Sequence, residues 1–220
     1  AVYVVLAVDI HGHRDVLGHW VSDGAEGANY WLTVMSDLQN RGVQDIFIAT
    51  MDGLTGFSDA VHAVFPQTEV QRCIVHQIRN SLRYVSWKDR KTFVADLKTV
   101  YQAVNREIAE RQLQHLAEKW NDKYAFAVRS WENNWDELTT FFNYPAEIRR
   151  LIYTNNAIEG YHRQLRKVTK NKAVFPTTEA VRKLLYLANA NITKKWTMPL
   201  VHWPSILNQL AIRFQDRFHL

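Results

Sequence analysis

Two carboxylates and one Cys/His pair are the side chains whose types and spacing could do chemistry. Asp52 stands in Thr50-Met51-Asp52-Gly53, just past a short apolar run, Val43 to Ala49, that reads as a strand. In open α/β sheets the C-terminal edge of the strands is where ligands bind. An Asp-Gly pair is also a common turn or helix-cap signal, and that reading competes. Glu159 is the one acid between Arg149 and Lys172, against seven Lys and Arg. Read as a helix, YTNNAIEGYHRQLRKVTKNK puts Ile158, Tyr161, Leu165 and Val168 on an apolar stripe. Glu159, Arg163, Arg166 and Lys170 then project from the opposite side, flanked by Asn155, Asn156 and His162. An exposed helix with a Glu159–Arg163 pair worth roughly 0.2–0.5 kcal/mol is one reading. The other is a metal-binding carboxylate beside side chains that hold a polyanion. Two carboxylates on separate elements in a basic field suit two divalent ions and phosphoryl transfer. Oxygen ligands of this kind favour Mg²⁺ or Mn²⁺. Cys73-x-x-His76 offers two ligands where a structural zinc site needs four, so zinc is not expected.

The elements that must position these residues can be read along the chain. Val2 to Val8 is rich in β-branched residues and reads as a buried strand. His11-Gly12-His13-Arg14 turns it into a second strand from Asp15 to Ser22, making a hairpin. Asp9, at the end of the first strand, reads as a turn aspartate. His11, His13, His19 and His62 have no ligand spacing and read as turn or surface residues. A helix is expected over Glu26 to Gln39, the strand at Val43 to Ala49, a helix over Phe57 to Phe65, and a strand over Thr68 to Arg72. From Ile74 to Arg150 the pattern is helical throughout, with breaks near Ser86, Asn105, Asn133 and Pro145. Later helices are expected over Thr178 to Lys194 and from Pro204 to Phe214. This order implies an α/β fold, a mixed sheet flanked by helices, interrupted by an all-helical segment too long for a loop.

The chain has 220 residues, 47% of them hydrophobic and 12% aromatic, which supports a substantial core and excludes global disorder. The formal charge is +5, concentrated around Glu159, which suggests nucleic acid or another polyanion. A single cysteine rules out an internal disulfide and fits a reducing compartment. No apolar run approaches the ~18 residues of a membrane span. The opening AVYVVLAVDIHGH begins as a strand without a basic leader, so it is not read as a signal peptide, and an upstream element is expected.

The sequence resembles the catalytic core of DDE transposases of the IS256/Mutator type. The stretches that carry the resemblance are VYVVLAVDIHGHRDVLGHWV, MDGLTGF with QRCIVHQIRNSL, SWENNWDELTTFFNYPAEIRRLIYTNNAIEGYHRQLRKVTKNKAVFP and LYLANANITKKW, which together span nearly the whole chain. The resemblance implies an RNase H-like fold with a helical insertion before the helix that bears the catalytic Glu. It divides the chain into a first core part over 1–84, an insertion subdomain over 85–150 and core helices over 151–220. It makes Asp52 the second catalytic Asp and Glu159 the catalytic Glu, both metal ligands for Mg²⁺ or Mn²⁺. The family's first Asp lies on a strand before the hairpin and matches no residue here, so this chain alone is expected to be inactive. Cys73 and His76 match a Cys/Asp-x-x-His signature, which implies active-site support: His76 would hydrogen-bond a phosphate or orient a carboxylate.

Trp131 matches a Trp that stacks on an extruded base in related transposases; a Trp at helical spacing also reads as core. Arg163, Arg166, Lys167, Lys170 and Lys172 would hold the DNA backbone. Three function classes follow: a metal-dependent DNA transposase core, an RNase H-like nuclease, and a non-catalytic DNA-binding or oligomerisation module. The implied partners are double-stranded DNA, at transposon ends and target, and a second or further copy of the chain. The implied place of action is the bacterial cytoplasm, with no membrane.

Overall fold

The computed structural model describes residues 1–22, 24, 27–153, 156–170, 175 and 177–218. Strands β1 (Val2–Val8) and β2 (Arg14–Val21) are followed by helix α1 (Ala28–Asn40), β3 (Ile48–Met51), α2 (Phe57–Val64) and β4 (Glu69–Arg72). Eight helices complete the described elements of this type: α3 (Ile74–Ser81), α4 (Trp87–Tyr101), α5 (Arg106–Glu132), α6 (Trp135–Thr139), α7 (Ala146–Ile152), α8 (Asn156–Thr169), α9 (Thr178–Thr193) and α10 (Trp203–Arg213). The expected order of elements holds. No described helix is long and apolar enough to cross a membrane.

Two differences from the expected sheet matter. The described strands pair as two separate two-stranded sheets, β1 with β2 antiparallel and β3 with β4 parallel, and not as one mixed sheet. β1 is also half-exposed, with Val2 and Val8 each 38% accessible, and is not a buried strand. The third strand begins at Ile48, five residues later than the apolar run suggested. The length of the ladder, and not apolarity, sets the strand's limits, and β4 is only four residues long.

The chain forms two compact units. The first comprises Ala1–Gln44, Asp59–Val64 and Asn156–Leu220. In it the hairpin is covered on both faces, as period-two alternation allows. Tyr3 meets Trp31 of α1 edge-on, with ring centroids 4.8 Å apart. Val4 and Val16 pack against a core of Tyr161, Leu165, Leu185 and Ala188 from α8 and α9. The register slips by one between Val5 and Leu6, where Val5 pairs with Gly18 and Leu6 with Val16, so β2 carries one extra residue. The hairpin turn is closed by Asp9, whose Oδ1 accepts from the backbone N–H of His11 at 2.9 Å and of His13 at 2.8 Å. Asp9 therefore has the turn role read from its position. Gly12 at the turn has φ +83° and lies directly under the Trp203 ring, where a Cβ would overlap it. Trp203 Nε1 donates to Ile10 O at 2.9 Å and fixes the start of α10 there.

The second unit comprises Asp45–Ser58 and Phe65–Asn155, so the parallel strands and α3 group with the helical block. Between 85 and 150 every regular element is helical. The expected small core is present: Phe93 and Leu97 are fully buried, and Leu113, Leu116 and Trp120 nearly so. Phe93 meets the rings of Trp120 and Tyr124 edge-on, at 5.6 and 6.2 Å. Removing a buried ring leaves a cavity its neighbours only partly fill. Phe93→Ala is therefore expected to lower unfolding free energy by about 3–5 kcal/mol, measured by urea titration. A loss under ~1 kcal/mol would mean that α4 and α5 do not share a core.

Candidate functional site

The parallel pairing of β3 and β4 sets the first constellation. Ile48 pairs with Glu69 and Met51 with Arg72, a constant offset of twenty-one residues (69 − 48 and 72 − 51). Carried one step further, that offset sets Asp52 beside Cys73, and Cys73 N–H does donate to Met51 O at 2.8 Å. Both residues lie just past the C-terminal ends of parallel strands, as expected for Asp52. Gly53 then turns the chain with φ +79°, and a Cβ there would stand 2.7 Å from Arg72 Nη1. The positive φ is what favours glycine there.

Cys73 is also the N-cap residue of α3, so His76 falls in that helix's first turn. Its Nδ1 lies 3.0 Å from Asp52 Oδ1 and 3.3 Å from Cys73 Sγ. Nδ1 thus stands within reach of both the carboxylate and the thiol, and its hydrogen bond is to Cys73 Sγ. Among the described residues, Asp52, Cys73 and His76 form one convergent group, their ligand atoms all within 4.8 Å of one another. Cys73 is fully buried, whereas the side chains of Asp52 and His76 are 32% and 26% exposed. Tyr153 caps α3 by accepting Ile74 N–H on its carbonyl at 3.3 Å. Burial, then Tyr101 and Cys73, push its phenol well above the ordinary range, so it stays protonated.

β4 and α3 are held from behind by polar contacts. Arg72 donates through Nε and Nη2 to Glu137 Oε2 at 2.9 and 2.6 Å, and Ser58 donates to the other oxygen of Glu137. Gln71, fully buried, donates to Leu138 O at 3.1 Å and accepts Phe141 N–H at 2.7 Å. Gln77 of α3 donates to Ser130 O and Oγ, both at 2.9 Å. Trp131 belongs to this framework. It is 1% exposed and its Nε1 donates to Ser81 Oγ at 3.0 Å. The expectation that Trp131 stacks on a base is corrected: its ring faces the core, and its one donor is already used.

Glu159, Arg163, Arg166 and Lys167 lie on α8 and Lys170 directly follows it, all in the first unit. Arg163, Arg166, Lys167 and Lys170 are exposed, and Glu159 is half-buried. Lys172, and Asn155 of the flanking set, lie outside the described residues. Tyr161 and Leu165 are buried as the apolar stripe requires, but Val168 is 43% exposed and does not extend it. α8 is anchored through the Tyr161 hydroxyl. It donates to Asn189 Oδ1 of α9 at 2.9 Å and lies 2.6 Å from His19 Nε2 of β2. With its proton given to Asn189, the phenol oxygen accepts from His19 Nε2–H. Burial, and then His162, lower the His19 pKa, which keeps the imidazole neutral. Burial raises that of Tyr161 to about 12.

His19 is thus an anchoring residue and not the surface histidine expected. The extra residue in β2 hid it: Val16 and His19, three apart, would face opposite ways in a regular strand, and the slip brings both to one face. Because the folded state holds this pKa below 6.5, the unfolded chain binds the proton first as pH falls. Stability is thus full above pH 6.5 and lost as pH drops through and below that value. In His19→Gln this part of the slope is expected to vanish, read as the urea midpoint across pH 5–8 for both chains. Equal slopes in the two would remove His19 from the anchor. Tyr161→Phe, which orphans two partners, is expected to cost about 1–3 kcal/mol.

Comparison with known proteins places this geometry in a family. Residues 1–199 match the family described as Transposase, Mutator family. The transposase for insertion sequence element ISRM3 of Rhizobium meliloti is 46% identical over 219 residues, covering 99% of this chain and 54% of that protein. A probable insertion-sequence transposase of Corynebacterium diphtheriae is 38% identical over 236 residues, 98% of this chain and 68% of that protein. The transposase of IS905 from Lactococcus lactis is 32% identical over 184 residues, 84% of this chain and 46% of that protein. The chain spans about half the length of the first of these relatives. With its carboxylate at a parallel strand edge and a basic helix in a separate unit, the chain belongs to the Mutator family of transposases.

Proposed function

We propose that the chain is the catalytic core of a DNA transposase of the DDE type, with an RNase H-like fold, that cuts DNA at transposon ends and joins it to target DNA. The observation that carries this reading is the Asp52–His76 contact at the open end of the parallel strands, in a chain whose relatives are named insertion-sequence transposases. Asp52 and Glu159 would hold Mg²⁺ or Mn²⁺. The donor set supports that choice. A partly exposed carboxylate is a hard oxygen ligand, His76 Nδ1 is engaged with Cys73 Sγ, and the buried Cys73 thiol is a soft group ill-suited to these ions. Three candidate ligands also fall short of the four of a structural zinc site. When bound, such ions activate the attacking oxygen and stabilise the leaving one.

The protein's own residues do the rest. His76 fixes one oxygen of Asp52, as partners of metal ligands commonly do, so that the carboxylate does not rotate when substrate enters. The ladder and the Arg72–Glu137 pair hold the strand end in place behind it. Arg163, Arg166, Lys167 and Lys170, with Lys172, would neutralise backbone phosphates and set register without reading sequence. The third carboxylate implied by the family resemblance matches no residue of this sequence, Asp9 being engaged by the turn. The 220-residue chain alone is therefore expected not to cleave. Two copies would hold two transposon ends, acting on the chromosome in the bacterial cytoplasm.

The test uses this chain and one extended to the length of its relatives. The extended chain is expected to nick and join pre-cleaved end duplexes in Mg²⁺ or Mn²⁺, and Asp52→Asn or Glu159→Gln to abolish both while keeping DNA binding. Full cleavage by either variant would sink the assignment, and cleavage without joining would make the protein a nuclease. Arg166→Ala is expected to weaken specific and random duplexes alike and to flatten the slope of log K against log salt by about 0.9. An unchanged slope would return Arg166 to the solvent.

A further inference from the structure

The second unit leaves three large rings in water beside the joint between α3 and α4. Tyr84 is 56% exposed, Phe126 68% and Trp87 84%. Singly exposed apolar residues are ordinary, but these are grouped. Tyr84 and Phe126 come from different elements and still stack, with centroids 5.6 Å apart and planes 18° from parallel. The Arg129 guanidinium lies 5.5 Å from the Phe126 centroid, and that of Arg90 lies 5.8 Å from the Trp87 centroid. Trp87 is three positions after Tyr84, so their Cα atoms are at most ~11 Å apart.

The joint between them is fixed. Ser86 Oγ and Tyr124 OH are 2.6 Å apart, and Arg90 Nε donates to Val85 O at 3.2 Å. The rings therefore stand on a rigid base. They also stand in a cationic field. RNSLRYVSWKDRK, Arg79 to Lys91, has five Lys and Arg and one acid, Asp89. Asp89 is turned inward: hydrogen bonds from Lys123 and then Tyr124 hold its carboxyl at about 2. Arg83, Lys88 and Lys91 are exposed. A groove along α5 is lined by Glu118, Asp122, Arg129 and Glu132, so Arg129 has acids on that side.

We propose that Tyr84, Phe126 and Trp87, with Arg129 and the lysines beside them, form a stacking surface for unpaired bases of a single-stranded nucleic acid. Open rings among cations match a ligand that carries flat π faces and phosphates together. Duplex DNA offers phosphates but no open base faces. Rings and arginine also suit a protein interface, but the exposed Lys88 and Lys91 beside them favour a polyanion, since lysine is depleted at interface cores. A second copy of this chain has a formal charge of +5 and would bring like charge to like. The inference takes from the proposed function only that the chain handles nucleic acid; it needs neither Asp52 nor Glu159, and its test is run without divalent metal.

The experiment is fluorescence anisotropy of labelled oligo(dT) and oligo(U) of about 15 nucleotides, and of a duplex of equal length, against the 220-residue chain. Tyr84→Leu and Phe126→Leu are each expected to weaken single-strand binding about tenfold while leaving duplex binding unchanged. Tyr84→Phe, which keeps the ring, is expected to bind as the parent does. Arg129→Gln is expected to lower the single-strand salt slope by about 0.7. A 2-aminopurine base in the oligonucleotide should be quenched by the parent and less so by Phe126→Leu. The two oligonucleotides separate DNA from RNA as the source of the strand. Leucine variants that bind single strands like the parent, or that weaken single strand and duplex equally, would overturn the proposal. So would sedimentation showing that the parent self-associates and the leucine variants do not, which would make the surface an interface between copies.

Discussion

The last rung of the β3–β4 ladder, Cys73 N–H to Met51 O at 2.8 Å, governs the candidate site. Parallel pairing at a fixed offset makes both strands end at the same level, and only then do Asp52 and Cys73 become neighbours. Because α3 starts at the next residue, His76 can reach back to the Asp52 carboxylate. A slip of one residue in that register would move Asp52 to face Arg72 or Ile74 and break the contact. A two-stranded parallel pair is weak by itself. What holds this one is the layer behind it, where Arg72 meets Glu137 twice and Gln71 bonds to backbone on both sides. A partly buried ion pair adds little net stability, yet removing one partner leaves an uncompensated charge. These contacts thus act chiefly against other registers.

The same division of labour recurs in the first unit. Apolar packing of Tyr161, Leu165, Leu185 and Ala188 brings α8 onto the hairpin, but packing alone permits rotation about the helix axis. The Tyr161 hydroxyl, bonded to β2 on one side and α9 on the other, fixes that rotation. Glu159 lies two residues before Tyr161 and the exposed cations lie after it, so the direction in which the whole face points is set by one buried polar atom. A buried hydroxyl with both hydrogen bonds made costs little; with either lost it becomes a liability.

The parts legible in the sequence were those with local signals. The element order, the Asp-Gly at a strand end, the helical block and its buried Phe93, Leu97 and Trp120 all follow from periodicity and turn chemistry. What was not legible depends on pairing between distant residues. The apolar run from Val43 looks like strand, but the regular ladder with β4 covers only Ile48 to Met51, so β3 begins at Ile48. His19 looked like a surface residue because alternation was counted through a position where β2 has one residue too many. Val168 fits the helical period and is exposed all the same, since the core it would join ends a turn earlier.

The aromatic residues show the limit most clearly. Trp131 and Trp120 sit at helical spacing, and a ring at helical spacing serves equally for a core or for a ligand. In both cases an acceptor decides: buried Ser81 Oγ takes the Trp131 N–H, and the partly buried Asp96 takes that of Trp120 at 2.7 Å. A Trp whose donor has a partner inside has no cost to drive it out. The exposed rings fall where the helical period is broken. Tyr84 precedes the Ser86 cap of α4 and Trp87 follows it, while Phe126 lies just past the irregular backbone at Tyr124, φ −135° and ψ 47°, within α5. At such breaks the inward face changes direction, so a large side chain can be left outside without disturbing the core. Rings placed there are set by the joint's rigid hydrogen bonds and not by burial, which lets a surface be both apolar and ordered in water.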